Sequence, residues 1–176
     1  AFSLDDGRQL WGIGRDEVPT WSTPTLWRHG KKAQLVVAGY HHSGGYDPRT
    51  GRELWKLTGG GDIPVCTPII ADDLVILSSA HGPSRPLRAV RFSATGDITP
   101  GSPSESTEHI AWSLPRDGIY MQTPILHDGL LYACRINGVL SCYLPKTGER
   151  IYRERIDGGV GFTASPVAGD GKLFFP

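Results

Sequence analysis

Gly45-Tyr46-Asp47-Pro48-Arg49-Thr50-Gly51-Arg52-Glu53-Leu54-Trp55 decides the fold, because the chain says it again. It returns as Cys142-Tyr143-Leu144-Pro145-Lys146-Thr147-Gly148-Glu149-Arg150-Ile151-Tyr152, and a worn copy runs from Ala1 through Asp6-Gly7 to Trp11. A fourth begins at Val90 and reaches Thr95-Gly96, but its aromatic, Trp112, follows twelve residues late. A period in the forties marks a repeat architecture.

A second marker runs in phase. Ser22-Thr23-Pro24 is echoed by Cys66-Thr67-Pro68, Gln122-Thr123-Pro124 and Ala164-Ser165-Pro166. The prolines lie 44, 56 and 42 residues apart, and Gly7, Gly51, Gly96 and Gly148 lie 44, 45 and 52 apart. One insertion, roughly Asp97 to Glu108, explains the long interval. Its Ser, Pro, Thr and Glu content predicts a solvated loop.

Between markers, each unit reads as four short strands rich in Val, Ile, Leu and aromatics, bounded by Gly, Asp, Asn or Pro. No window sustains a helical face. The chain is therefore expected to be all-β: a β-propeller of four-stranded antiparallel blades, with a β-sandwich as the weaker rival. The predicted division is 1–18 (end of a blade), 19–58, 59–114 with the inserted loop 97–108, 115–156, and 157–176 (start of a blade).

The repeated residues take structural roles in this reading. Glycine at Gly51, Gly96 and Gly148 supplies the positive φ of a hairpin turn, and the hydroxyls of Thr50, Thr95 and Thr147 hold nearby backbone. The aromatics Trp11, Trp55, Trp112 and Tyr152 are expected to cover seams between blades. The small residue–Asp–Thr-Gly–Trp pattern resembles the tryptophan-docking motif of pyrroloquinoline-quinone-like propeller repeats. That family includes quinoprotein alcohol dehydrogenases and outer-membrane-assembly lipoproteins. Leu144, Tyr152 and Asp6 depart from the pattern.

The length, 176 residues, is four times 44. Three complete blades flanked by two half-blades are expected, and the resemblance implies a seven- or eight-bladed ring of which this is about half, as in a fragment. Closure of the two ends into a four-bladed ring and self-association of two chains through open edges are the alternatives.

Eighteen basic and 18 acidic residues give zero formal charge, with no clustered run of either. No basic face for nucleic acid is visible, and no apolar stretch is long enough to span a bilayer. The family resemblance implies a periplasmic or secreted location. Cys66, Cys134 and Cys142 are read as buried thiols with no zinc spacing. A two-residue turn at Asn137-Gly138 would pair Ala133 with Cys142 and point Cys134 and Cys142 to opposite faces. A three-residue loop would set them opposite one another.

Propeller ligands bind at the channel mouth, built from the loops joining each fourth strand to the next first strand and from the second-to-third-strand loops. Those loops carry Trp21, His41, His42, His81, Arg85, Arg116, Asp117, Tyr120 and Arg135 as candidates for a ligand or partner face. His41 and His42 are adjacent on an extended segment and would point apart, which argues against a shared metal. Arg28 to Lys32, Ala71 to Asp73 and His127 to Gly129, on the opposite face, read as ordinary polar hairpins.

Three functions are open to this chain, the first two implied by the resemblance. A non-catalytic scaffold needs no cofactor and binds a protein partner at the mouth. A dehydrogenase would use pyrroloquinoline quinone and calcium, but the family's vicinal cysteine pair is absent from this sequence, so its site would lie on further blades. A small-ligand or sugar sensor is the third. No catalytic residue and no metal ligand is assigned, and the scaffold is preferred.

Overall fold

Apolar runs between turn residues become strands, and the strands gather into three four-stranded antiparallel blades and a partial fourth. The computed structural model describes every residue except Asp157, Gly159 and Val160. Blade 1 holds β1 (Thr25–His29), β2 (Lys32–Val37), β3 (Ser43–Tyr46) and β4 (Glu53–Leu57). Blade 2 holds β5 (Ile69–Ala71), β6 (Leu74–Ser78), β7 (Leu87–Arg91) and, after a short β8 (Gly96–Asp97), its outer β9 (Ile110–Leu114). Blade 3 holds β10 (Ile125–His127), β11 (Leu130–Cys134), β12 (Val139–Tyr143) and β13 (Arg150–Arg155). β14 (Val167–Gly169) and β15 (Lys172–Phe174) form a two-stranded sheet, and Phe2 bridges Gln9 in the hairpin that opens the chain. Among the described residues the sheets do not close into a ring: the arrangement is a partial propeller.

The core lies between blades. Trp27, Val36, Trp55 and Leu57 of blade 1 meet Val75, Leu77, Val90 and Ile110 of blade 2. The other side of blade 2 (Ile76, Leu87, Ala89 and Trp112) meets Leu131, Ala133 and Tyr143 of blade 3. Sandwiched on both faces, β6 is buried along its whole length, which is why it runs Leu74-Val75-Ile76-Leu77 before Ser78 rather than alternating apolar with polar.

Local chemistry repeats with the sequence. Gly7, Gly51, Gly96 and Gly148 have φ of 73°, 76°, 74° and 73°, a region where a Cβ is strained. Thr50 Oγ1 accepts the Arg52 N–H at 3.3 Å and Thr147 Oγ1 the Glu149 N–H at 3.2 Å. In the worn copy Asp6 Oδ1 does the same for Arg8 at 3.1 Å, so Asp at the Thr position keeps the turn. Leu144 forfeits only the side-chain bond that Asp47 Oδ1 makes to the Arg49 N–H, while the Gly148 N–H still reaches the Leu144 carbonyl.

Two bonds recur across seams. Trp11 Nε1 donates to the Pro48 carbonyl at 3.1 Å, and Trp112 Nε1 to the Pro145 carbonyl at 2.8 Å. The Thr67 N–H donates to Thr123 Oγ1 at 3.0 Å, and the Thr123 N–H to Ser165 Oγ at 2.9 Å. The hydroxyls before Pro124 and Pro166 thus link one inner strand to the next. Trp27, outside any repeated phrase, is fully buried, donates to the Asp72 carbonyl at 3.1 Å and meets Phe92 edge-on at 4.7 Å.

Two expectations need correction. The insertion is not wholly solvated: β8 leaves blade 2 and pairs in parallel with β4 of blade 1, and Ile98 is 3 % exposed in the core between them. An apolar side chain within a polar run suffices to anchor it. Trp55 therefore lies opposite Gly96 in a strand ladder, with its Nε1 donating to Gln34 Oε1 of its own blade at 2.8 Å. The Cys134–Cys142 hairpin takes neither anticipated register. Val139 and Arg135 close a three-residue loop with Gly138 at φ 79°; Cys134 then pairs with Leu140 and Cys142 with Tyr132, so the two buried thiols share a face two residues apart. All three cysteines are free.

Candidate functional site: the channel mouth

Each blade enters its inner strand through a loop carrying a carboxylate, and in each blade that carboxylate turns back on the second-to-third-strand loop. In blade 1, Glu17 Oε2 accepts the N–H groups of Tyr40 (2.7 Å) and His41 (3.1 Å), and Oε1 accepts that of His42 (3.0 Å) and Arg15 Nη2 (3.1 Å). Burial alone would raise this carboxyl, but the three backbone N–H groups and Arg15 outweigh it and hold it below its ordinary value. In blade 2, Asp62 faces His81 at 3.8 Å, and its N–H donates to the His81 carbonyl at 3.0 Å. In blade 3, Asp117 accepts Arg135 Nη2 at 3.0 Å and Arg153 Nη2, with Arg150 at 3.8 Å.

The two adjacent histidines serve different partners. His41 Nδ1 lies 2.6 Å from the Asp16 carbonyl, whereas His42 Nε2 lies 2.8 Å from Glu53 Oε1. Tyr46 shares that carboxylate, its hydroxyl donating at 2.9 Å; burial and the Glu53 hydrogen bond push its phenol far above the ordinary range. Among the described residues no three His, Cys, Asp or Glu side chains converge to hold a metal ion.

The structure places Asp117 and Arg135 together, sets the His81 ring against Tyr120 at a 39° tilt with centroids 5.0 Å apart, and leaves Arg85 and Arg116 exposed at the rim. The backbone carbonyls of both arginines still brace the mouth: Arg85 O accepts the Gly118 N–H at 2.8 Å, and Arg116 O accepts Arg135. Trp21 is 62 % exposed and held through its N–H on the Pro64 carbonyl. Thr95 sits on the opposite face, and Tyr152 is partly exposed on β13. The bracing role of Glu17 and Asp62 escaped the residue-by-residue reading. Its signal was present: an acidic side chain stands seven, six and seven residues before Pro24, Pro68 and Pro124.

No family model and no curated protein matches the chain. Solved structures do. BamB from Moraxella catarrhalis superposes with a TM-score of 0.68 at 16 % identity over 96 % of this chain and 47 % of its own. The computationally designed Ika4 protein gives 0.56 at 13 % identity, over 96 % of this chain and 98 % of its own. Quinohemoprotein alcohol dehydrogenase from Comamonas testosteroni gives 0.54 at 12 % identity, over 85 % and 32 %. At such identities the likeness establishes the fold alone: a stretch of β-propeller. The chain spans about half the length of BamB.

Proposed function

We propose that this propeller segment is a non-catalytic scaffold of the periplasm or cell exterior that binds a protein partner through its channel mouth. The observation that carries this reading is the disposition of the mouth's ionisable groups. Glu17 and Asp117 are spent on bracing loops and Asp62 faces His81 at 3.8 Å, while Trp21, Tyr40 and Arg116 stand exposed around them. Rigid loops that present Trp, Tyr and Arg have the composition of an interface hot spot, whereas a general acid or base needs a carboxylate free to exchange protons. The fold likeness to BamB supports a scaffold, and the likeness to the dehydrogenase keeps a quinone-dependent enzyme as the rival. Among the described residues no helix is long and apolar enough to cross a membrane; the location rests on the family resemblance.

A photo-crosslinking residue placed at Trp21 or Tyr120, in the source cells, tests the reading. A discrete protein adduct from both positions and none from Lys146, on the opposite face, is the expected result. The absence of any adduct from the mouth positions overturns it.

A further inference from the structure

The face opposite the mouth carries a groove of about 1190 Å³ between blades 1 and 2. Arg28, Lys31 and Lys32 of the β1–β2 hairpin line it, with Arg49 and Arg52 of the Thr50-Gly51 turn and Arg91 at the end of β7. These are six of the chain's 18 basic residues, on a molecule of zero formal charge. Only two acidic residues, Asp47 and Asp73, join them in the lining. Asp47 is within ion-pair reach of Arg49 alone, at 3.5 Å, and no other of the six has a carboxylate partner among the described residues. The groove exists because the insertion crosses the seam: Phe92 to Thr95 leave blade 2 for β4 and form one wall.

Six cations balanced by only two carboxylates repel one another, and an anion that enters relieves the repulsion. The volume exceeds the roughly 300–1,000 Å³ of small-molecule pockets, which fits a chain segment rather than a metabolite. Leu26, Leu54 and Ala94 interleave the cations, and Phe92 is already engaged by Trp27 and by His29 at 5.3 Å. That leaves apolar side chains a place and gives a nucleobase no free ring to stack on. The geometry points to a binding site for an acidic peptide segment whose carboxylates alternate with aliphatic side chains.

Fluorescence anisotropy with a short labelled peptide alternating Glu and Leu tests the site. Saturable binding at low ionic strength is expected, falling as salt screens the charges. The double variant Lys32→Glu/Arg52→Glu should weaken binding about tenfold or more, and Lys32→Gln/Arg52→Gln by less. Arg8→Glu, on the opening hairpin, and Trp21→Ala, at the mouth, should leave it unchanged, which separates this site from the partner surface proposed above. No saturable binding to the native chain, an equal loss in Arg8→Glu, or tighter binding of oligouridylate than of the peptide overturns the proposal.

Discussion

Trp112 of blade 2 lies on Gly148 of blade 3 so closely that a Cβ built on the glycine would sit 2.6 Å from the indole. Gly51 stands in the same relation to Trp11, again at 2.6 Å, whereas Gly96 has open space around it. All three share nearly the same positive φ, so the comparison isolates contact from backbone strain. Gly96→Ala should cost about 1–2 kcal/mol, the left-handed penalty alone. Gly148→Ala should cost about 3 kcal/mol or more, because the ring must also shift. Urea unfolding of the two variants checks the difference, and equal losses would remove the seam from the explanation.

The inner-strand hydroxyl ladder gives a second expectation. Thr123→Val keeps shape but removes the acceptor of the Thr67 N–H. A loss of about 1 kcal/mol is expected. Thr25→Val, whose hydroxyl donates to the Pro68 carbonyl at 2.9 Å, should cost a similar amount.

Glu17 ties the mouth together as a carboxylate. Its folded value is below the ordinary 4.5, so its contribution is present above that pH and is lost as pH falls through the folded value. Glu17→Gln should destabilise by about 1–3 kcal/mol at neutral pH. The gap between native and variant urea midpoints should then shrink below pH 4.5; a gap independent of pH would show that charge is not what braces the loop.

Cys66 behaves in the opposite sense. Burial pushes its thiol from 9.0 up to about 12, so the folded state holds the proton more tightly than the unfolded one. Its contribution is complete below pH 9.0 and is lost as pH rises toward 12. Across that window the native chain should lose stability more steeply than Cys66→Ala, by up to about 1.4 kcal/mol per pH unit. Parallel slopes would contradict the assignment.

What was legible in the sequence is what the backbone demands. A turn that needs positive φ selects glycine, so Gly7, Gly51, Gly96 and Gly148 announced the repeat and the fold. Leu144 and Asp6 looked like decay, yet each turn survives because its backbone bonds remain. The path of the insertion was not legible, since Ile98 is one apolar residue among polar ones and its destination lies in another blade. The Cys134–Cys142 hairpin failed for a related reason: the loop length at Gly138 sets the register, and Asn137-Gly138 suits more than one. The basic groove was invisible because its cations come from positions 28 to 91 and converge only when the blades pack. The mouth was half legible. Its loops and residue types could be placed, but which carboxylate would meet which backbone depends on two loops folding over one another.

The scaffold reading is tested most directly by titrating the chain with calcium and pyrroloquinoline quinone while following the quinone's absorbance and the oxidation of a primary alcohol. With Glu17 and Asp117 committed to their own loops, no stoichiometric uptake and no turnover are expected. Uptake at one quinone per chain with an absorbance change would contradict the reading and make the mouth an active site.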